Sequence, residues 1–290
     1  MIPKIQAYTE IHHPVAITQQ ARRRAMIVPR EHGAWGLLLV PLFTGLVAGF
    51  APEHRGGALF LFTLATLSLF ALRTPFESLL GIGLISARTT EERWTALLGS
   101  ACFALLAAAC LSVLMWRGQY RALFLLGAAS AFAFVLQAML RRWGRGTRVI
   151  SQVVGAIALT STAPAAYYIG TGQFDERGFA LWIANWMFAG NQIQFVQLRI
   201  RSARAMGLKA KLASGQSFLL AQTLSWILLA FGSVWHLLPP LSLIAFLPAV
   251  VRGLSWFFAK PEPLDVRRLG WSEMKQGVAF GVLLAFTFLF

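Results

Sequence analysis

The stretch Val28-Pro29-Arg30-Glu31-His32-Gly33-Ala34-Trp35 decides the fold, because it sets three ionisable side chains against the start of a charge-free apolar run, 33–50. At ~1.5 Å of rise per residue, that run nearly spans the hydrocarbon of a bilayer. The polar triplet therefore lies where the chain enters a membrane. Pro29 suits a helix start, and Glu31 suits the positive end of the helix dipole.

The rest of the chain repeats the pattern. Its 290 residues are 57% hydrophobic and 13% charged, where a soluble domain carries about 25% charged residues. Apolar runs of about 18 or more residues recur along the whole length, which predicts an all-α polytopic membrane bundle. The runs fall at 33–50, from 58 through Arg73-Thr74-Pro75-Phe76-Glu77 toward 86, at 94–116, from the 117–121 turn to 140, at 149–169, 178–198, 216–235, 241–259 and 272–290. The second run ends either at Arg73 or beyond Glu77. Pro164 and Pro248 are expected to bend the fifth and eighth. No long polar segment divides the runs, so 29–290 reads as one nine-helix domain. A basic tail, 1–28, precedes it and ends in Arg22-Arg23-Arg24. The tail has no signal-peptide core and is expected to be mobile or to lie on anionic headgroups. Cys102 and Cys110 fall in one apolar run and read as packing residues.

The net charge of +15 comes from basic loops rather than a nucleic-acid surface, and no nucleic-acid partner is expected. Arg22, Arg23, Arg24 and Arg30 fall on one side of the bundle. Arg88, Arg93, the 141–148 loop, the 199–211 segment, Lys260, Arg267 and Arg268 fall on the same side. The opposite turns hold Arg55, Arg117, Arg121 and Arg177. By the positive-inside rule, this places the N-terminus in the cytoplasm and the C-terminus outside.

Three basic residues stay inside predicted spans: Arg73, Arg252 and Lys275. Charge at that depth is costly and usually faces a bundle interior or a wet cavity. Arg73 and Glu77 share a helix face at i,i+4 and flank Pro75, either as a structural ion pair or as the wall of a ligand pocket. In the sixth run, Asn191, Gln194, Gln197 and Arg201 recur every three or four residues along one face; Gln192 points elsewhere on the wheel. Such a stripe serves as inter-helix hydrogen-bond glue or lines a cavity. His32 can titrate near neutral pH, and the Arg30 and Arg252 guanidiniums match phosphate geometry. Gln152, Glu273 and Lys275 lie on the same side, and no matching set exists at the outer ends. There is no P-loop, Rossmann fingerprint, paired-His spacing or nucleophile elbow. Gly45 and Gly49 form a small-xxx-small pair that fits close helix packing.

The Pro29-Arg30-Glu31-His32-Gly33-Ala34-Trp35 segment, followed by Leu39-Val40-Pro41 and Gly45, resembles the opening of YwiC-like membrane proteins. The Arg73-x-Pro75-Phe76-Glu77 segment and the Arg268-Leu269-Gly270 approach to the last helix extend that resemblance. It implies a bacterial inner-membrane protein. A more distant similarity, to the UbiA superfamily of intramembrane prenyltransferases, implies nine helices, an inside N-terminus and a cytoplasm-facing polar cavity. That superfamily holds a prenyl diphosphate through magnesium on two Asp-rich motifs. Their counterparts here, 73–77 or 88–93 and 191–201, contain no aspartate, so no metal ligand or cofactor is expected.

Three functions stay open. The first is a protein that binds or modifies an isoprenoid or other membrane lipid with an anionic head. Arg30, Glu31, Arg73, Asn191, Gln194 and Arg252 would hold the head, and Glu77 or His32 would act as acid or base. The others are a small-molecule transporter and a non-enzymatic assembly factor.

Overall fold

In lipid, every backbone N–H and C=O must find its partner within the chain, so apolar runs of this length become helices. A computed structural model of the chain describes residues 19–27, 32–50, 56–81, 85–118, 121–203, 207–260 and 264–289. Its helices, in order, are α1 (Gln19–Ile27), α2 (His32–Ala48), α3 (Gly56–Leu79), α4 (Thr90–Arg117), α5 (Arg121–Arg142), α6 (Arg148–Thr160), α7 (Thr162–Thr171), α8 (Glu176–Arg201), α9 (Leu208–Val234), α10 (Ser242–Phe258) and α11 (Val266–Leu289). Among the described residues there is no strand. Five spans are long and apolar enough to cross a membrane: Gly56–Leu79, Thr90–Arg117, Arg121–Leu140, Val149–Thr171 and Leu208–Val234. α2 and α10 are shorter and equally apolar. The protein is a multi-pass helical membrane protein. Leu98, Leu105, Phe124, Leu125, Phe132 and Leu220 point outward, as side chains in contact with acyl chains do.

Helix ends depart from the expected ones where capping chemistry overrides hydropathy. α4 starts at Thr90 rather than 94, because Thr89 and Glu92 form a capping box: Glu92 N donates to Thr89 Oγ1 at 3.2 Å, and Arg88 N donates back to Glu92 Oε2 at 2.8 Å. α11 starts at Val266 rather than 272, since Asp265 Oδ1 accepts the N–H groups of Arg267 and Arg268 at 2.9 and 3.1 Å. α3 continues through Pro75 to Leu79, and α10 continues through Pro248. The fifth span, by contrast, is broken, with α6 ending at Thr160 and α7 beginning at Thr162. The Pro164 ring cannot donate to the Thr160 carbonyl and crowds it. Thr160, Ser161 and Thr162 then turn their hydroxyls back onto the carbonyls of Ala156, Ala158 and Leu159 at 2.7–2.8 Å. Ser161 Oγ also meets Ser130 Oγ of α5 at 2.7 Å, so the break leaves these hydroxyls bonded.

Two compact units emerge from the contacts. The first draws on Met1–Arg30 and Leu69–Leu105, and so holds α1, the end of α3 and the start of α4. The last part of the expected tail is thus helical. Arg22 Nε donates to Glu92 Oε1 at 2.6 Å, Arg22 Nη2 donates to the Ser86 carbonyl at 3.1 Å, and Arg23 pairs with Glu91. Met26 is fully buried.

The second unit comprises Glu31–Ser68 and Leu106–Phe290. Its centre is a seam of small residues. A β-carbon on Gly45 would lie 2.8 Å from Ala163 Cα, one on Gly49 would lie 2.7 Å from Tyr167 Cα, and one on Gly170 would fall on the Gly49 carbonyl. Glycine therefore lets the α2 and α7 backbones touch, and the Gly45–Gly49 pair works as expected. Asn185 of α8 closes this region, donating to Thr44 Oγ1 at 3.0 Å and to the Leu181 carbonyl at 2.9 Å. Trp182 and Trp186 donate to the Ile157 and Val153 carbonyls of α6. Phe188, Phe246 and Phe280 then join α8, α10 and α11.

Candidate functional site

Arg252 decides where the second unit carries chemistry. It sits in α10, where every neighbour in sequence is apolar or small, so its charge must be met from another helix. The counterion is Glu273 of α11, with side chains 12% and 9% exposed. The guanidinium lies over the Phe195 ring of α8, 4.1 Å from its centroid, a cation–π contact that favours a desolvated charge. Gln192 Nε2 donates to the Glu273 carbonyl at 2.9 Å and ties α11 to α8 at this level.

These contacts use only part of the available bonding. Arg252 Nη1 takes Glu273, while its Nε and Nη2 are buried with no hydrogen-bond partner among the described residues. The same holds for Glu273 Oε2, Asn191 Oδ1, Gln222 Oε1 and Gln276 Oε1. Helix register groups them. Asn191 lies one turn before Phe195 on α8. Gln222 lies one turn after Phe218 on α9, whose ring is 5.9 Å from that of Phe195. Gln276 lies three residues after Glu273 on α11. A buried polar group left without a partner costs about 1–3 kcal/mol, and more if charged. The Arg252–Glu273, Arg252–Phe195 and Gln192–Glu273 contacts bring α8, α10 and α11 together, and unmet polar groups along those helices can be completed by a ligand. An apolar wall adjoins Arg252, formed by Phe195, Leu198, Phe218, Trp256 and Phe257.

The sequence-predicted residues divide accordingly. Asn191 and Arg252 belong to this cluster, and Gln194 is half-buried on the same helix. Further along that stripe the polar groups do other work: Gln197 donates to Gln152 Oε1 of α6 at 3.1 Å, and Arg201 is exposed. Arg73 Nε donates to Glu77 Oε1 at 2.8 Å, both half-buried, within the first unit. Arg30, Glu31 and the side chain of His32 lie outside the described residues. Lys275 is exposed on α11 rather than turned inward.

Four participants escaped the sequence reading. The sequence places Glu273 only by its side of the membrane, a helical wheel turns Gln192 away from the polar stripe, and Gln222 and Gln276 carry no signal of their own. Elimination could have found the first. Only Glu77 and Glu273 among the chain's eleven acids fall in predicted spans, and Glu77 has Arg73 at i,i+4. Lys211, read as a loop charge, is buried; it donates to the Trp256 and Ala259 carbonyls at 2.9 and 2.6 Å, capping α10.

Residues 28–167 match the family model described as YwiC-like protein. No curated protein matches the chain, and no solved structure does. The matched residues take in Gly45, Gly49, Ala163 and Tyr167 of the glycine seam and the Arg73–Glu77 pair, while Gly170, Asn191, Arg252 and Glu273 lie beyond them.

Proposed function

Starting from a chain that is YwiC-like over residues 28–167, we propose that it binds a membrane lipid with an anionic group in its head, held on Arg252 among α8, α9, α10 and α11. The observation that carries this is the free edge of Arg252: Nε and Nη2 are buried, side by side and unpartnered among the described residues. Two parallel N–H groups in one plane fit two oxygens of a phosphate or carboxylate. Glu273 neutralises the guanidinium without occupying that edge. The aromatic wall of Phe195, Phe218 and Trp256 offers an apolar surface to the part of the lipid behind its head.

The site opens toward the cytoplasm of a bacterial inner membrane in this reading. Arg199, Arg201 and Lys209 lie between α8 and α9 or at their ends, Lys260 follows α10, and Arg267 and Arg268 begin α11. The positive-inside rule puts that end inside. The same reading takes the domain as nine spans in UbiA-like order, with α6 and α7 as two halves of the fifth. That count is supported by the single apolar span Val149–Thr171.

The test is mass spectrometry of lipids extracted from the purified full chain. About one lipid per chain is expected, lost in the uncharged double variant Arg252→Gln/Glu273→Gln, which buries no lone charge. Retention no better than in a detergent-only control, or unchanged in the double variant, would overturn the proposal.

A further inference from the structure

The ion pair at this site is left open on both of its partners. Arg252 offers two N–H donors, and Glu273 offers Oε2, an acceptor with no donor among the described residues. Asn191 Oδ1, one turn from Phe195 on α8, and Gln276 Oε1, three residues from Glu273 on α11, are further buried acceptors without a donor among the described residues. A purely anionic head would complete the Arg252 edge and leave Glu273 facing like charge. A head with no N–H or O–H donor would leave every one of those oxygens unbonded, at a free-energy cost for each.

We propose that the site selects a zwitterion carrying an oxyanion and a primary ammonium a few bonds apart, of which an aminoalkyl phosphate is the simplest form. This rests on the lipid-binding reading above and names the head it takes. The oxyanion lies on Arg252 Nε and Nη2. The ammonium, with three N–H donors, gives one to Glu273 Oε2 and the others to amide oxygens such as Asn191 Oδ1 and Gln276 Oε1. The pairing is neutral overall, so the desolvation that burial imposes on each charge is offset locally. A trimethylated ammonium has the same charge and no N–H, and the site rejects it. The chemistry can reach the site as the head of an aminophospholipid or as a free aminoalkyl phosphate.

The experiment measures binding to the full chain in detergent by native mass spectrometry. The probes are phosphatidylethanolamine, phosphatidylcholine and phosphatidylglycerol of one acyl composition, and free O-phosphoethanolamine. Phosphatidylethanolamine is expected to bind about tenfold or more tightly than phosphatidylcholine, the worth of one charge-assisted hydrogen bond. Glu273→Gln keeps the side chain's shape and an oxygen for Arg252 to donate to, and in the folded variant the preference turns toward phosphatidylglycerol. Phosphatidylcholine or phosphatidylglycerol binding the native chain as tightly as phosphatidylethanolamine overturns the zwitterion while the lipid site stands. Binding of O-phosphoethanolamine with no lipid retained upholds the zwitterion and overturns the lipid as its source. No binding by any probe overturns both. If Glu273→Gln is folded, by its melting temperature, and keeps the native preference, Glu273 does not receive the ammonium.

Discussion

Asn185 and Asn191 sit on one helix, six residues apart, both buried, and the structure uses them in opposite ways. Asn185 faces the glycine seam and donates to Thr44 Oγ1 and the Leu181 carbonyl. Asn191 lies one turn before Phe195, the ring that Arg252 covers, and its Oδ1 meets no donor among the described residues. A polar side chain inside an apolar helix is thus not evidence of a site by its type or depth. What separates structural glue from a binding site is whether its hydrogen bonds are made within the chain.

Arg252→Met leaves Glu273 buried without its cation, and the loss of stability is expected to be about 3–5 kcal/mol. Arg252→Met/Glu273→Leu should recover most of it, because a buried pair replaced by apolar groups is close to neutral. Denaturant unfolding in detergent, followed by tryptophan fluorescence, measures both. No rescue in the double variant would mean that the pair holds the helices together rather than standing ready for a ligand. Gly170→Ala attacks the closed region instead. Its β-carbon would fall on the Gly49 carbonyl, where backbone cannot yield as a side chain can. Overpacking of this kind costs about 1–3 kcal/mol, with Gly190→Ala, where a β-carbon meets nothing within 4 Å, as the control.

The two regions also differ in how well the sequence announces them. Hydropathy alone locates the helices, because a bilayer demands long uncharged runs. It misplaces the starts of α4 and α11, where Thr89, Glu92 and Asp265 extend a helix into polar sequence. The glycine seam was legible in Gly45 and Gly49, since only a small residue at i and i+4 permits backbone contact. Its partner face, Ala163, Tyr167 and Gly170, was not, because a single sequence does not say which helices meet. The open region was half legible for the same reason. Arg252 and Asn191 stand out as polar residues among apolar ones. Glu273 and Gln192 reveal their roles only once α10 and α8 are placed against α11, and a helical wheel drawn for α8 alone turns Gln192 away from the face that matters.

The two asparagines of α8 respond differently to the same substitution. Asn185→Leu removes a made inter-helix bond, while Thr44 Oγ1 keeps the Pro41 carbonyl, at an expected cost of about 0.6–1.7 kcal/mol. Asn191→Leu should cost less, and its effect on unfolding should lie within about 0.5 kcal/mol of zero. Asn191 Oδ1 has been taken out of water without a protein donor in return, so replacing the amide with an apolar group of similar size removes a penalty rather than a bond. The same substitution should weaken phosphatidylethanolamine binding several-fold, because the oxygen it deletes is one that the bound ammonium completes. Stability and affinity then move independently at Asn191, while at Asn185 only stability moves. A loss of stability at Asn191 equal to that at Asn185, with binding unchanged, would place both asparagines in the scaffold and erase the distinction between the closed and the open region.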